Sequence, residues 1–135
     1  MFKLLKPPFM INDLILPKTD GIWKVTQDAR MCTAYVSKRN GDIHNSFGPA
    51  GIIIEFHDAQ VVYACYMWYV KGQHHREDGP AIITYHKAPT GRVMCYEDFY
   101  LFNMFFPTKR EHENALIKHM LGVDNEALKI IKSLI

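Results

Sequence analysis

The sequence has little by which covalent or metal chemistry could be recognised. Its 135 residues include three cysteines, Cys32, Cys65 and Cys95. An odd count without C-x-x-C spacing argues against a disulfide framework, and their place inside apolar runs reads as small buried hydrophobes in a reducing compartment. There is no H-E-x-x-H pair, no Gly-rich phosphate loop and no Ser or Cys set beside a base, so the expectation is no catalytic residue, no metal ligand and no cofactor. Charge of one sign is scarce too. A net charge of +2 disfavours nucleic acid as a partner, since phosphate-binding proteins concentrate Lys and Arg into a clear excess. No apolar run reaches spanning length, because Pro7, Pro8, Asn12 and Asp13 interrupt "MFKLLKPPFMINDLILPK". The expectation is no membrane partner and a cytoplasmic protein.

Apolar residues make up 48% of the chain and charged residues 22%, an ordinary globular composition. One domain of residues 1–135 is expected. Within it, "NGDIHNSFGPAGIIIEF" from Asn40 aligns without gaps on "KGQHHREDGPAIITY" from Lys71. His44 falls on His75 and Gly48-Pro49-Ala50 on Gly79-Pro80-Ala81, at an offset of 31 residues. The same offset takes Val62, Trp68, Tyr69, Val70 and Gly72 to Val93, Phe99, Tyr100, Leu101 and Asn103. That makes two full copies and a third half-copy.

Each unit runs from an aromatic and β-branched stretch through a Gly turn and a short polar stretch to G-P-A and a second apolar run, which is strand, turn, strand. Asn40-Gly41 suits a type I′ turn, whose two central residues need positive φ. Strands are expected at Arg30–Lys38, Pro49–Phe56, Val61–Val70, Pro80–His86 and Arg92–Phe102, with one more at Ile22–Thr26. Short connections make them an antiparallel meander. At the C-terminus Thr108-Lys109-Arg110-Glu111 has capping-box spacing, predicting a helix to about Leu121 that stops at Gly122. Asp124 can cap a second helix with Ala127, Ile130, Ile131 and Leu134 on one stripe. The expected fold is α+β: an N-terminal segment (1–29), a β-meander of repeated hairpins (30–106) and a two-helix element (107–135) that covers a face or end of the sheet.

The stretch "GQHHREDGPAIITY" resembles the H-R-E-D-G-P-A form of the MORN-like (membrane occupation and recognition nexus) hairpin repeats, frequent in small bacteriophage and bacterial proteins. The resemblance covers roughly Tyr35 to Asn103. It is specific in the copy holding His75 to Ala81; the earlier copy has Asn45-Ser46-Phe47 where the later has Arg76-Glu77-Asp78. It implies a scaffold or binding surface without family catalytic residues, and a viral protein at work in the cytoplasm of a bacterial host.

Both copies keep His, Gly, Pro and Ala, whose value is geometric. Arg76, Glu77 and Asp78 differ between copies, so they read either as a solvated loop with a weak surface ion pair or as a specific contact. His74 and His75 are adjacent and point to opposite faces of a strand, and His112 and His119 read as surface residues of the helix. "VVYACYMWYV" places Tyr63, Met67 and Tyr69 on one side and Tyr66 and Trp68 on the other, with Phe99 a possible neighbour of Trp68. Core packing is the ordinary role of such residues; any exposed part would have the Tyr, Trp and Arg chemistry of interface hot spots. The candidate binding residues are therefore Tyr66, Trp68, Tyr69, His75, Arg76, Glu77, Asp78 and Phe99. The expected function is a non-enzymatic protein-protein interaction module, phage-encoded and directed at a host protein, with self-association open. The alternatives are an aromatic nucleic-acid platform and a metal-dependent hydrolase built on His44, His75, Glu77 and Asp78.

Overall fold

A chain with this alternation closes its backbone hydrogen bonds between neighbouring runs, and the computed structural model, which describes residues 2–28 and 31–121, shows how. The order is β1 (Phe9–Met10), a 3₁₀ turn (Ile11–Asp13), β2 (Ile22–Gln27), β3 (Cys32–Arg39), β4 (Asp42–Ile43), β5 (Gly51–His57), β6 (Gln60–Met67), β7 (Tyr69–Val70), β8 (Gln73–His74), β9 (Ile82–Lys87), β10 (Val93–Leu101), β11 (Met104–Phe106) and α1 (Lys109–Leu121). The main sheet runs β11-β10-β9-β6-β5-β3-β2, all antiparallel, with β4 paired on β3 and β1 on β6. Its strands lie side by side in chain order, a mostly β molecule with a helix near its C-terminus. The predicted second helix lies outside the described residues.

The repeat recurs in the backbone. The turn residues Asn40-Gly41, Lys71-Gly72 and Phe102-Asn103 all have positive φ, at 52° and 83°, 51° and 79°, and 47° and 65°. Only the first pair advertises this, because Lys and Phe are poor left-handed residues. Around the turns the hydrogen bonds repeat one period later. Ser37 N–H to Ala50 O becomes Trp68 N–H to Ala81 O, and Ala50 N–H to Met67 O becomes Ala81 N–H to Asp98 O. Gly72 N–H to Ile43 O becomes Asn103 N–H to His74 O, which stacks each hairpin tip on the previous one.

The expected strand Val61–Val70 is interrupted. At Trp68 the chain leaves the main sheet, and β7 pairs with β8 as a separate two-stranded ribbon. The Trp68 N–H still donates to Ala81 O, but the Ala81 N–H goes to Asp98 O and the Trp68 carbonyl takes the His75 N–H instead. The expected starts at Pro49 and Pro80 move to Gly51 and Ile82, since proline brings no N–H to a ladder.

Cross-strand partners share a face. Thr33, Tyr35, Ile52, Ile54, Ala64, Tyr66, Ile83 and Tyr85 form one side, and Ile52, Ile54, Ala64 and Tyr66 are fully enclosed. The N-terminal segment covers this core with Phe2, Leu4, Phe9, Ile11, Leu14 and Leu16. Each such side chain taken from water stabilises the fold by about 1.5–3 kcal/mol. The covering role expected of the helices thus falls largely to an irregular N-terminal arm. On the other face Ala34, Ile53, Tyr63, Met67 and Ile82 are half-buried. Two cysteines depart from the expected burial: Cys65 is buried, but Cys32 is half-buried and Cys95 exposed, and all three are free thiols.

α1 begins where its cap predicts, with the Glu111 N–H donating to the Thr108 hydroxyl at 3.2 Å. It seats His112, expected at the surface, in the interior. His112 is 2% exposed, between the Phe99 and Phe106 rings, with Nε2 2.7 Å from the Arg76 carbonyl. That carbonyl and the two rings lie where the third half-copy ends, so α1 closes the repeat stack in place of a further loop.

Candidate functional site

Two loops, His44 to Ala50 and His75 to Ala81, leave the sheet side by side. Each is fixed by its histidine. His44 Nδ1 accepts the Lys71 N–H at 3.0 Å, and His75 Nδ1 accepts the Phe102 N–H at 3.1 Å. The acceptor nitrogen carries no proton, so each ring holds its proton on Nε2. In the first loop Nε2 meets the Asp20 carboxylate at 2.9 Å and the Ser46 hydroxyl at 3.1 Å. Asp20 also accepts the Ser46 N–H, the Ser46 hydroxyl and Arg39. Desolvation raises the Asp20 carboxyl, but the Ser46 N–H and hydroxyl and the His44 imidazole outweigh it and hold the group well below the usual carboxylate range. In the second loop the His75 Nε2 has, among the described residues, Glu77 at 3.5 Å.

Residue Arg76 does two jobs. Its Nη1 donates to the Pro80 carbonyl at 3.1 Å, as the Asn45 amide donates to the Pro49 carbonyl at 3.1 Å in the first loop. Its guanidinium lies 4.0 Å from the centroid of the Trp68 ring and pairs with Asp78 at 2.9 Å. The group crosses directly over Gly79, where a Cβ would come within 2.9 Å of the guanidinium carbon. A side chain at this glycine would therefore have to displace the guanidinium, the far end of a flexible side chain, from its place over Trp68. At Gly48 the close neighbour is Pro17 of the arm, at 3.2 Å.

Between the loops runs an open groove of about 560 Å³, lined by Phe47, Trp68, His75, Arg76, Glu77, Asp78 and Phe102 among others. Five of the residues singled out from the sequence thus meet in one place. The other three do not. Tyr66 has no exposed surface; its hydroxyl donates to Leu5 O and accepts the Leu5 N–H, and burial pushes its pKa up to about 12. Phe99 is buried against His112 rather than placed as a surface contact. Tyr69 stacks on His74 at 4.1 Å within the β7-β8 ribbon, with Tyr100 on the far side of the imidazole at 5.0 Å. Burial lowers the His74 pKa. Tyr66 and Phe99 are core residues and offer nothing to a partner.

Sequence reading passed over Phe47 and Phe102, which are 54% and 46% exposed at the rims of the groove. The available signal was an aromatic at a turn or loop position, where neither core packing nor turn geometry asks for one. It also passed over Asp20, in a segment the repeat does not cover.

Asp20, His44 and Ser46 are the residue types of a hydrolytic triad in a different arrangement. Carboxylate and hydroxyl both face Nε2 while Nδ1 is held by a backbone N–H, whereas a triad needs them on opposite nitrogens. The cluster braces the loop. Among the described residues, no three or more His, Cys, Asp and Glu side chains gather where they could hold a metal ion. No helix among them is long and apolar enough to cross a membrane. No protein-family model, curated protein or solved structure matches the chain significantly.

Proposed function

We propose that the chain is a non-enzymatic protein-interaction module and that the groove between its two loops is the contact surface. The observation that carries this is the exposure of Phe47 and Phe102 on either side of a Trp68-Arg76 stack that the fold already immobilises. Aromatic and Arg side chains held rigid beside a cleft contribute binding energy with little ordering cost, and such residues dominate interface hot spots. Glu77 and Asp78, with side chains 54% and 84% exposed, add a carboxylate rim that favours a partner segment carrying a basic residue. The resemblance to MORN-like phage repeats supports a viral protein whose partner is a bacterial host protein.

The test is affinity capture from bacterial lysate with the wild-type chain and with Phe47→Ser and Glu77→Lys, two changes at exposed positions that leave the core intact. A protein recovered by wild type, and bound at least tenfold more weakly by Phe47→Ser when purified, is the expected result. Equal recovery by wild type and both variants, or no protein recovered at all, would overturn the assignment.

A further inference from the structure

A second groove, sharing Phe47 with the one between the loops, lies in the N-terminal arm. The arm passes twice over the same end of the molecule, first as Phe2 to Leu5 and again as Asp13 to Lys18, and the two passes enclose about 620 Å³. The inner surface is mostly apolar: Phe2 and Leu5 on one wall, Ile15, Leu16 and Pro17 on the other, and Phe47 at the end. Ile15 is 80% exposed, well beyond Met10 at 47%, in an arm whose other large apolar residues are half-buried. The groove also carries one lysine on each wall, Lys3 and Lys18.

Those two ammonium groups are what identify an occupant. Neither has a carboxylate within ion-pair distance among the described residues; Lys18 instead lies over the Phe47 ring, 4.8 Å from its centroid. The one acid on the lining, Asp13, has an oxygen engaged by the Met10 N–H at 3.3 Å. An apolar trough lined by two ammonium groups without a carboxylate partner among the described residues complements a molecule with an apolar body and one anionic end. Its volume falls in the ordinary range of small-ligand sites, roughly 300–1,000 Å³.

We propose that this groove binds a single-chain amphiphilic carboxylate of the fatty-acid class, with the acyl chain against Ile15, Leu16, Leu5 and Phe2 and the carboxylate between Lys3 and Lys18. Pairing at such an open site is screened by salt, so the chain supplies most of the affinity and the lysines set the preference for a negative end. Each methylene that becomes buried strengthens binding about threefold to fourfold.

Calorimetric titration of the full chain with hexanoate, octanoate and decanoate below their micellar concentrations tests this, with decylammonium as the comparator of opposite charge. Affinity is expected to climb along the series and to favour decanoate over decylammonium by at least tenfold. Lys3→Glu/Lys18→Glu should reverse that preference and Ile15→Asp should abolish binding of both. All three positions are exposed, so the variants should keep the wild-type circular dichroism spectrum. Glu77→Lys, at an exposed position that lines the other groove and not this one, should bind decanoate as wild type does, separating this site from the interaction surface. No binding of decanoate, equal affinity for the two head groups, or unchanged preference in the double variant would overturn the proposal.

Discussion

In the first loop the His44 Nε2 is clasped by Asp20, which also gathers Ser46 and Arg39; in the second the His75 Nε2 faces, among the described residues, the half-exposed Glu77. The backbone bonds of the two loops are the same, one period apart, and both histidines spend Nδ1 on the N–H of the next turn. What differs is closure from outside. A segment preceding the repeats reaches over the first loop and consumes its polar side chains, whereas α1 meets the second through its backbone, His112 on the Arg76 carbonyl, and leaves Glu77 and Asp78 extending into solvent. The recurring residues therefore build the loop, and the varying ones set how much of it is left open to solvent.

Removing the histidines probes that contrast most severely. His44→Ala leaves a part-buried N–H unsatisfied and also frees Asp20, for an expected loss of about 3 kcal/mol, against about 2 kcal/mol for His75→Ala. Urea midpoints compare the two; equal losses would mean that Asp20 contributes nothing to closure.

Next is Asp20→Asn, expected to cost about 2 kcal/mol at neutral pH, since a carboxylate taking charge-assisted bonds becomes a weaker acceptor. The folded carboxyl titrates well below its ordinary value near 3.8. Its contribution is thus complete above that value and is lost as pH falls below it. The stability gap between wild type and variant should be constant above pH ~5 and close toward pH ~2.

A smaller effect concerns the carbonyl of the loop proline. Arg76→Ala should cost about 1–2 kcal/mol through the lost donor to Pro80 and the lost stack on Trp68. Arg76→Asn, which copies the first loop's Asn45, should recover about half of that. Chemical denaturation of the pair decides whether Asn and Arg are interchangeable here.

The mildest change makes the two turns alike. Lys71→Asn converts Lys71-Gly72 into the Asn-Gly of the first hairpin and should stabilise by about 0.5 kcal/mol, because Asn tolerates the φ of 51° better. A raised thermal midpoint is the readout.

Much of this was legible in the chain. The antiparallel arrangement of the strands and the start of α1 follow from alternation, turn residues and a cap, which are local properties. The grouping of Trp68, His75, Arg76, Glu77 and Asp78 was legible because they are close in sequence. The equivalence of Asn45 and Arg76 was not: a short amide and a long guanidinium share no likeness except that each places an N–H at the same carbonyl. Nor was the depth of Tyr66, since the arm that buries it has no periodicity by which a cover could be recognised. His112 was misjudged for a similar reason, because burial of one helix position depends on the two phenylalanines it meets across the fold.

The direction of the histidine bonds carries a consequence for how such a molecule can grow. Each loop grips the turn that follows it and none grips the turn before, so the units join head to tail like tongue and groove. The last unit has Phe106 where the others have His44 and His75, and with no further turn to grip, α1 docks there instead. A further hairpin spliced in ahead of α1 would find a turn-gripping histidine on one side and offer a turn on the other, and α1 is the piece against which such an addition would have to fit.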